Sequence, residues 1–135
     1  MKFLLDNNLP PALARALHEL SKADGHQVTA LREKFKANTP DIEWISQLRA
    51  EGNWVVVSKD KFSKGSMEKR AFSESGLAIF VLAKQWHKAP FWDTAHNLVR
   101  WWPAITEQAE RITGGGVFKV GWRFSVPGKF EVMKL

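Results

Sequence analysis

The chain has 135 residues, of which 44% are hydrophobic and 25% are charged, and its formal net charge is +6. This length and composition are those of one folded domain, and they exclude a disordered or low-complexity chain. No apolar run reaches the ~20 residues of a membrane span, and the absence of cysteine excludes disulfides and thiolate metal sites.

The start of the chain and its charge set expectations about location and partners. Only the apolar residues Phe3–Leu5 stand between Lys2 and Asp6, so no signal peptide is predicted. A chain without cysteine suits a reducing cytoplasm, and we expect a cytoplasmic protein that does not bind membranes. The positive charge suits a polyanionic partner such as RNA, although it also serves solubility alone.

Strands and helices alternate along the first part of the chain. Lys2–Leu5 predicts a short buried strand, and Asn8 is a candidate N-cap for the helix that follows. Leucines then recur at helical spacing, at positions 9, 13, 17 and 20, before Asp24-Gly25 ends this helix. Residues 27–31 predict a second short strand.

The middle of the chain repeats the alternation. Thr39 is a candidate cap for a helix with Pro40 in its first turn and Gly52 at its end. The predicted buried side of this helix contains Trp44, Ile45 and Leu48. Trp54–Val57 is rich in β-branched residues and predicts a strand covered on both faces, and residues 77–82 predict a fourth strand.

A long helix and an alternating tail complete the chain. The helix begins at Pro90, and Pro103 is expected to break or kink it. Its predicted buried side contains Trp92, Ala95, Val99 and Trp102. Gly114–Gly116 predicts a flexible hinge, after which residues 118–126 alternate between apolar and polar. Residues 129–134 are expected to return as a partner strand, with the aromatic face packed on the core or exposed to a partner or RNA.

Strands that alternate with helices predict an α/β fold with a mainly parallel sheet and a C-terminal β-hairpin. No repeat, low-complexity tract or linker divides the chain. We therefore expect one domain over residues 1–135, with a core at about 1–112 and a basic β tail at about 117–135.

Two acids follow predicted strands and are candidate site residues. Asp6 follows the first strand, and Asp60 follows Ser58-Lys59 after the third. If these strands are parallel neighbours, both carboxylates lie at the edge of the sheet where α/β proteins bind ligands. Turn chemistry is the competing explanation for Asp6, but Asn7 already supplies a turn residue there.

A third candidate acid opens the helix between those two strands. Asp41 lies at the end of the predicted buried side of that helix, whereas Glu43 lies on the opposite face. An acid in a first turn is also favoured by the helix dipole alone. We select Asp41 as the site residue and keep Glu43 as the reserve.

Converging carboxylates repel one another unless a cation lies between them, and oxygen ligands suit Mg²⁺ or Mn²⁺. The candidate catalytic and metal-binding residues are therefore Asp6, Asp41 and Asp60. Such a site orients a water and stabilises charge on a phosphate. Asn7, Lys59 and Lys61 are candidates for contacts with the substrate.

The same residues carry a resemblance to a known family. The opening Met1–Pro11, the Pro40-Asp41 helix and Val55–Phe62 resemble the compact PIN-like proteins, relatives of VapC-type toxins. The resemblance covers roughly residues 1–85. It implies a three-layer α/β/α sandwich and a Mg²⁺- or Mn²⁺-dependent ribonuclease site, in which Asp6, Asp41 (or Glu43) and Asp60 match the family's acids by position.

The resemblance also implies partners and shows departures. Toxin members cleave RNA and are inhibited by a cognate antitoxin, and a homodimer is a further expectation. Relatives commonly carry a second acid two residues after the one matching Asp60, whereas Phe62 stands there in this chain. Glu74 and Asp93 are candidates for a fourth acid.

Three functions are consistent with this pattern. The leading one is a metal-dependent endoribonuclease that acts as the toxin of a toxin–antitoxin pair. The alternative is a non-catalytic module that binds nucleic acid or protein. A receiver-like phosphoacceptor is the third, but Lys84 follows the fourth strand without the Ser/Thr switch expected there.

Overall fold

A six-stranded sheet forms the centre of the fold. The structure, a computed structural model, describes residues 1–59, 70–71, 74–112 and 114–133. Its strands are β1 (Lys2–Leu5), β2 (Gln27–Ala30), β3 (Trp54–Ser58), β4 (Ala78–Leu82), β5 (Gly116–Val120) and β6 (Glu131–Met133). Their order is β2-β1-β3-β4-β5-β6; the first five are parallel, and β6 runs antiparallel to β5.

Helices cover both faces of this sheet. They are α1 (Pro11–Ser21), α2 (Leu31–Lys34), α3 (Asp41–Glu51) and α4 (Phe91–Arg111), with short 3-10 helices at Lys22–Asp24 and Lys84–Lys88. α1 and α4 pack on one face and α3 on the other. The predicted α/β/α sandwich with a C-terminal hairpin is thus confirmed. Within the described ranges, no helix is long and apolar enough to cross a membrane.

Residues of the central strands β1, β3 and β4 alternate between two hydrophobic cores. In β1, Phe3 and Leu5 face α1 and α4, whereas Leu4 faces α3. In β3, Val57 belongs to the first core and Val56 to the second. Both faces of β3 and β4 are covered, so these two strands are runs of mainly apolar residues, which is why they could be recognised in the sequence.

The starts of α1 and α3 differ from the prediction. Neither Asn8 nor Thr39 is the N-cap: α1 follows Pro10 and α3 follows Pro40, and neither cap makes a side-chain hydrogen bond. Both prolines have φ near −60° and an extended ψ, the conformation that a cap requires. The Asn8 side chain instead accepts a hydrogen bond from the Lys59 backbone, with 3.1 Å between Oδ1 and N.

Helical spacing placed some apolar residues on the wrong side. Leu20 is 63% exposed and Trp92 is 69% exposed, although both were predicted to be buried. Ser21 takes the inward position in α1, where its Oγ accepts a hydrogen bond of 2.8 Å from Trp102 Nε1. Pro103 does not break α4, because the helix is continuous from Phe91 to Arg111.

The tail is shorter as a strand than its alternation predicted. β5 ends at Val120, and β6 pairs with Val117–Lys119, so the hairpin is confirmed but the strand through residue 126 is wrong. Trp122 and Phe124 lie beyond the strand and pack partly buried against the core. Their contacts with the helical layer explain why the aromatic residues continue after the strand ends.

Gly115, in the segment predicted to be a flexible hinge, is a point of close backbone packing. A Cβ atom on Gly115 would overlap the carbonyl of Gly76 and lie 2.9 Å from the Leu77 carbonyl oxygen. The Gly116 backbone N–H also donates to Leu77 O at 3.4 Å. Glycine is required here because the chain enters β5 directly against the backbone that enters β4.

Glu51 at the end of α3 gives stability a predictable dependence on pH. The Gln47 side chain donates to Oε2 at 3.0 Å, while Lys34 Nζ and Trp54 Nε1 lie 3.1 and 2.8 Å from Oε1. These contacts, that of Gln47 first, lower the pKa of Glu51 from 4.5 to about 2. Because the folded-state value is the lower one, this stabilisation is complete above pH 4.5 and is lost as the pH falls towards 2.

We therefore expect Glu51→Gln to flatten the acid side of the stability profile. Urea unfolding at pH 6 and at pH 3 measures this, and the midpoint of the wild type should fall more between the two pH values than that of the variant. Glu19→Gln is a matched control, since Glu19 makes only an exposed contact with Lys22. Equal falls in the wild type and Glu51→Gln would contradict the assignment.

Candidate functional site

The order of the strands creates a switch point between β1 and β3. The chain leaves β1 to form β2 on one side and then returns to form β3 on the other side of β1. In such sheets, the loops after the two central strands separate and leave a crevice at their carboxyl ends. Asp6 follows β1 at this point, and Ser58 is the last residue of β3.

Asp6 is held rigidly at the switch point. Its side chain is buried, and its Oδ2 accepts a hydrogen bond of 2.7 Å from Ser58 Oγ. Its Oδ1 accepts one of 2.7 Å from the Asn7 backbone N–H, and its own N–H donates to Val57 O at 3.0 Å. A buried carboxylate with both oxygens engaged is oriented before any ligand arrives.

Ser58 was not recognised as a site residue from the sequence. It is fully buried, and its position after Val56 in β3 turns it to the same face as Asp6, the face that α3 covers. Side chains alternate between the two faces along β3, and this alternation was the signal for Ser58. It becomes informative only once β1 and β3 are known to pair, with Leu5 opposite Val57.

A second contact joins the segments that follow β1 and β3. The Lys59 backbone N–H donates to Asn8 Oδ1, so the two loops are linked directly beyond the ends of their strands. This agrees with the prediction that both segments leave one edge of the sheet. Asp60 and Lys61 come next in the chain, but they lie outside the described residues, and their part in the site stays a prediction.

Asp41 starts α3 at the same edge of the sheet. Only Gly52-Asn53 connects the end of α3 to the start of β3. The eleven residues of α3 and the five residues of β3 each span about 16 Å, so the two elements have the same length. The first turn of α3 therefore reaches the carboxyl ends of the strands. Asp41 is half-buried there, and its Oδ1 accepts a hydrogen bond of 2.9 Å from Trp44 Nε1.

Glu43 is exposed, as its place on the opposite face of α3 predicted. It lines an open groove of about 680 Å³ with Lys36 and Gln47, on the outer side of the helix. Within the described ranges, no three side chains of Asp, Glu, His or Cys form a group that could hold a metal ion. The convergence of three acids therefore depends on Asp60.

A small pocket opens beside Asp6. Its volume is about 20 Å³, comparable with the space that one water molecule occupies, and Asn7 and Arg32 also line it. Arg32 is exposed at the start of α2, which follows the carboxyl end of β2. A guanidinium beside a carboxylate pocket suits the binding of a phosphate group. No sequence pattern singled out Arg32 as a site residue.

The two candidates for a fourth acid are both exposed side chains. Asp93 is exposed in the first turn of α4, which covers the face of the sheet opposite to α3. Glu74 is also exposed. The described geometry therefore gives neither residue a contact with Asp6.

The comparisons agree with this geometry. A family model described as a PIN like domain matches residues 1–84, which include β1 to β4 and every candidate site residue from Asp6 to Lys61. No curated protein and no solved structure shows a significant match to the chain. The matched segment is more than half of the chain, and α4, β5 and β6 lie after it.

Proposed function

Because the chain belongs to the PIN-like domain family, we propose that it is a Mg²⁺- or Mn²⁺-dependent endoribonuclease. The family supports a nuclease-type protein or a PIN-fold module. The observation that carries the choice of a nuclease is Asp6: a buried carboxylate, fixed by Ser58 and Asn7, at the switch point of a parallel sheet. Burial of a carboxylate costs free energy, which a ligand-binding role explains.

The side chains present suit a hard divalent ion. Asp6 offers carboxylate oxygens beside a pocket with room for one small ligand, and Asp41 supplies a further carboxylate at the same edge. We propose that Asp6, Asp41 and Asp60 hold the ion, with Glu43 as the reserve. The ion would activate a water molecule and offset negative charge on the phosphate.

The surrounding residues would bind and orient the RNA. Arg32 and the Asn7 side chain border the pocket at Asp6 and can hold a phosphate next to it. Lys59 and Lys61 would contact the RNA backbone, in keeping with the net charge of +6. Ser58 would act through Asp6, since it keeps that carboxylate in one orientation.

The biological setting that we propose is a toxin–antitoxin pair in the cytoplasm. A ribonuclease with this site would be harmful if uncontrolled, so a cognate antitoxin protein that covers the site is the expected partner. A homodimer is part of the same proposal. This role rests on the resemblance to compact PIN-like toxins, and it would be tested by co-expression with the product of the neighbouring gene.

A second candidate function is a non-catalytic PIN-like module that binds nucleic acid or protein. It is favoured by one observation: Phe62 stands where relatives commonly carry another acid. In that case Asp6 would stabilise the loops after β1 and β3 without binding an ion.

Removal of metal separates the two functions. We expect the protein to cleave a 5′-labelled single-stranded RNA in Mg²⁺ or Mn²⁺ and to stop in excess EDTA, with activity restored by added Mn²⁺. Cleavage is read on a denaturing gel, and heat-denatured protein is the control. Cleavage that persists in EDTA would contradict the metal site, whereas binding without cleavage in every metal would favour the module.

A further inference from the structure

A polar and aromatic cleft lies in the part of the chain beyond the family match. Four residues of α4 at helical spacing face Trp122 across a space of about 450 Å³; they are Asp93, His96, Asn97 and Arg100. We name this space the α4–Trp122 cleft. Its volume lies in the range of small-ligand sites, and its lining combines an aromatic ring with hydrogen-bonding groups.

One wall of the cleft is fixed by the fold. The Asn97 side chain donates a hydrogen bond of 2.7 Å to the Trp122 carbonyl oxygen. The Trp122 ring packs edge-on against buried Trp86, with 4.9 Å between ring centroids. The indole is therefore positioned before a ligand arrives, which lowers the entropic cost of binding.

An exposed aromatic ring adjoins the α4 side of the cleft. Trp92 is 69% exposed, and its ring centroid is 6.3 Å from that of His96, which lines the cleft. Phe91, also partly exposed, packs edge-on against Trp92 at 5.2 Å. Exposure of an indole ring on this scale contributes little to folding and is typical of a binding surface.

Charge favours RNA over a protein segment as the occupant. The cleft is lined by one cation, Arg100, and one acid, Asp93. The segments that supply its lining, residues 84–100 and 121–129, carry no further acid and four further exposed cations, Lys84, Lys88, Arg123 and Lys129. Aromatic rings among cations are the arrangement that stacks bases and tracks a phosphate backbone.

The cleft also shares an edge of the sheet with Asp6. Trp122 lies two residues beyond the carboxyl end of β5, and β5 is three strand positions away from β1. At the usual spacing between strands, this is a lateral distance of about 14 Å. A single RNA strand crossing the ends of β1, β3, β4 and β5 would reach both places.

We infer that the α4–Trp122 cleft is a base-stacking subsite for single-stranded RNA, with Trp92 as a stacking ring and Arg100 as a phosphate contact. The inference rests on the proposed function, in that RNA is the ligand of both. The subsite would hold a nucleotide that is displaced along the strand from the phosphate at Asp6. It would add affinity without taking part in cleavage.

The test is the binding of a fluorescein-labelled twelve-nucleotide oligouridylate, measured by fluorescence anisotropy in EDTA, where a metal-dependent site is inactive. We expect Trp92→Ala to raise the Kd about 5- to 100-fold and Trp92→Phe to raise it much less, because a phenyl ring still stacks. Arg100→Ala should lower the slope of log Kd against log salt by about 0.7, the contribution of one phosphate contact.

Two variants serve as matched controls. Leu20→Ala removes a side chain that is 63% exposed on α1, and Arg111→Ala removes an exposed cation at the other end of α4. Neither should change the Kd or the salt slope. Normal binding by Trp92→Ala and Arg100→Ala, in proteins with the thermal midpoint of the wild type, would overturn the subsite and leave the cleft to a different occupant, such as a protein segment.

The results distinguish a failure of the subsite from a failure of the ribonuclease proposal. Weaker binding by the cleft variants in a protein that shows no metal-dependent cleavage would support the subsite and contradict the nuclease. Normal binding by these variants in a protein whose cleavage depends on Asp6 would support the nuclease and overturn the subsite.

Discussion

Asp6→Asn is expected to reduce RNA cleavage on the order of a thousandfold, since a metal ligand that is lost removes several kcal/mol of transition-state stabilisation. The substitution keeps the shape of the side chain and removes its negative charge. The Asn7 N–H and Ser58 Oγ, each 2.7 Å from an Asp6 oxygen, retain a polar partner. The fold should therefore survive while cleavage does not.

Single-turnover cleavage of labelled RNA in Mn²⁺ measures the effect. Ser58→Ala is a second variant, for which we expect a smaller loss of cleavage. Ser58 does not contact the ion in our proposal, so its loss should cost about 10- to 100-fold through a less well oriented Asp6. Asp24→Asn changes an exposed acid in the 3-10 helix after α1 and should cleave like the wild type. Cleavage by Asp6→Asn at the rate of the wild type would end the metal-site hypothesis.

Gly115→Ala is expected to cost about 4 kcal/mol or more in the free energy of unfolding, because two penalties add. The residue has a φ of +86°, a conformation that alanine adopts at a cost of roughly 1–2 kcal/mol. Its new methyl group would also overlap the Gly76 carbonyl, which is backbone that cannot move without disturbing the start of β4. Urea unfolding measures the loss.

A substitution at the neighbouring Gly114 separates the conformational cost from the cost of steric overlap. Gly114 has a φ of +83°, but no atom lies within 4 Å of the place where its Cβ would stand. Gly114→Ala should therefore show only the conformational cost, roughly 1–2 kcal/mol. If both variants lost the same free energy of unfolding, the close approach of the backbone at the starts of β4 and β5 would not be the reason for glycine at position 115.

The sequence was sufficient to predict the first four strands and the layers. A strand covered on both faces is an unbroken apolar run. The segments Val55–Val57 and Ile79–Leu82 are too apolar to belong to an exposed element. The edge shared by the segments after β1 and β3 followed from the same reasoning, since parallel neighbours end together. The structure confirms that pairing, whereas the place of Asp60 remains a prediction.

The helix faces were harder to predict because their orientation is decided by partners that are distant in sequence. Leu20 fits the spacing of the α1 stripe, yet the hydrogen bond from Trp102 to Ser21 turns Ser21 inward and leaves Leu20 exposed. Trp92 is apolar and correctly spaced, but the core under that end of α4 is closed by other residues. Amphipathic spacing indicates that a segment is helical, but it does not determine exactly which side of the helix faces the core.

Ser58 and the Asn8–Lys59 contact show a second limit of prediction from the sequence. A serine at the end of an apolar strand has no special pattern, and its meaning arises from the register that places it beside Asp6. Asn8 matched the chemistry of a helix cap, but Pro10 already has the extended conformation of a cap residue. The amide was therefore free to join two loops.

The contribution of α4 to the core has a consequence for how the protein is made. Trp102 packs on Phe3 with 5.0 Å between ring centroids, so the first strand is covered by a helix that begins 88 positions later. On the ribosome, the family-matching segment would emerge with one side of its sheet covered by α1 alone. Completion of the core must wait for the last third of the chain, and until then the nascent chain would keep apolar surface exposed to chaperones.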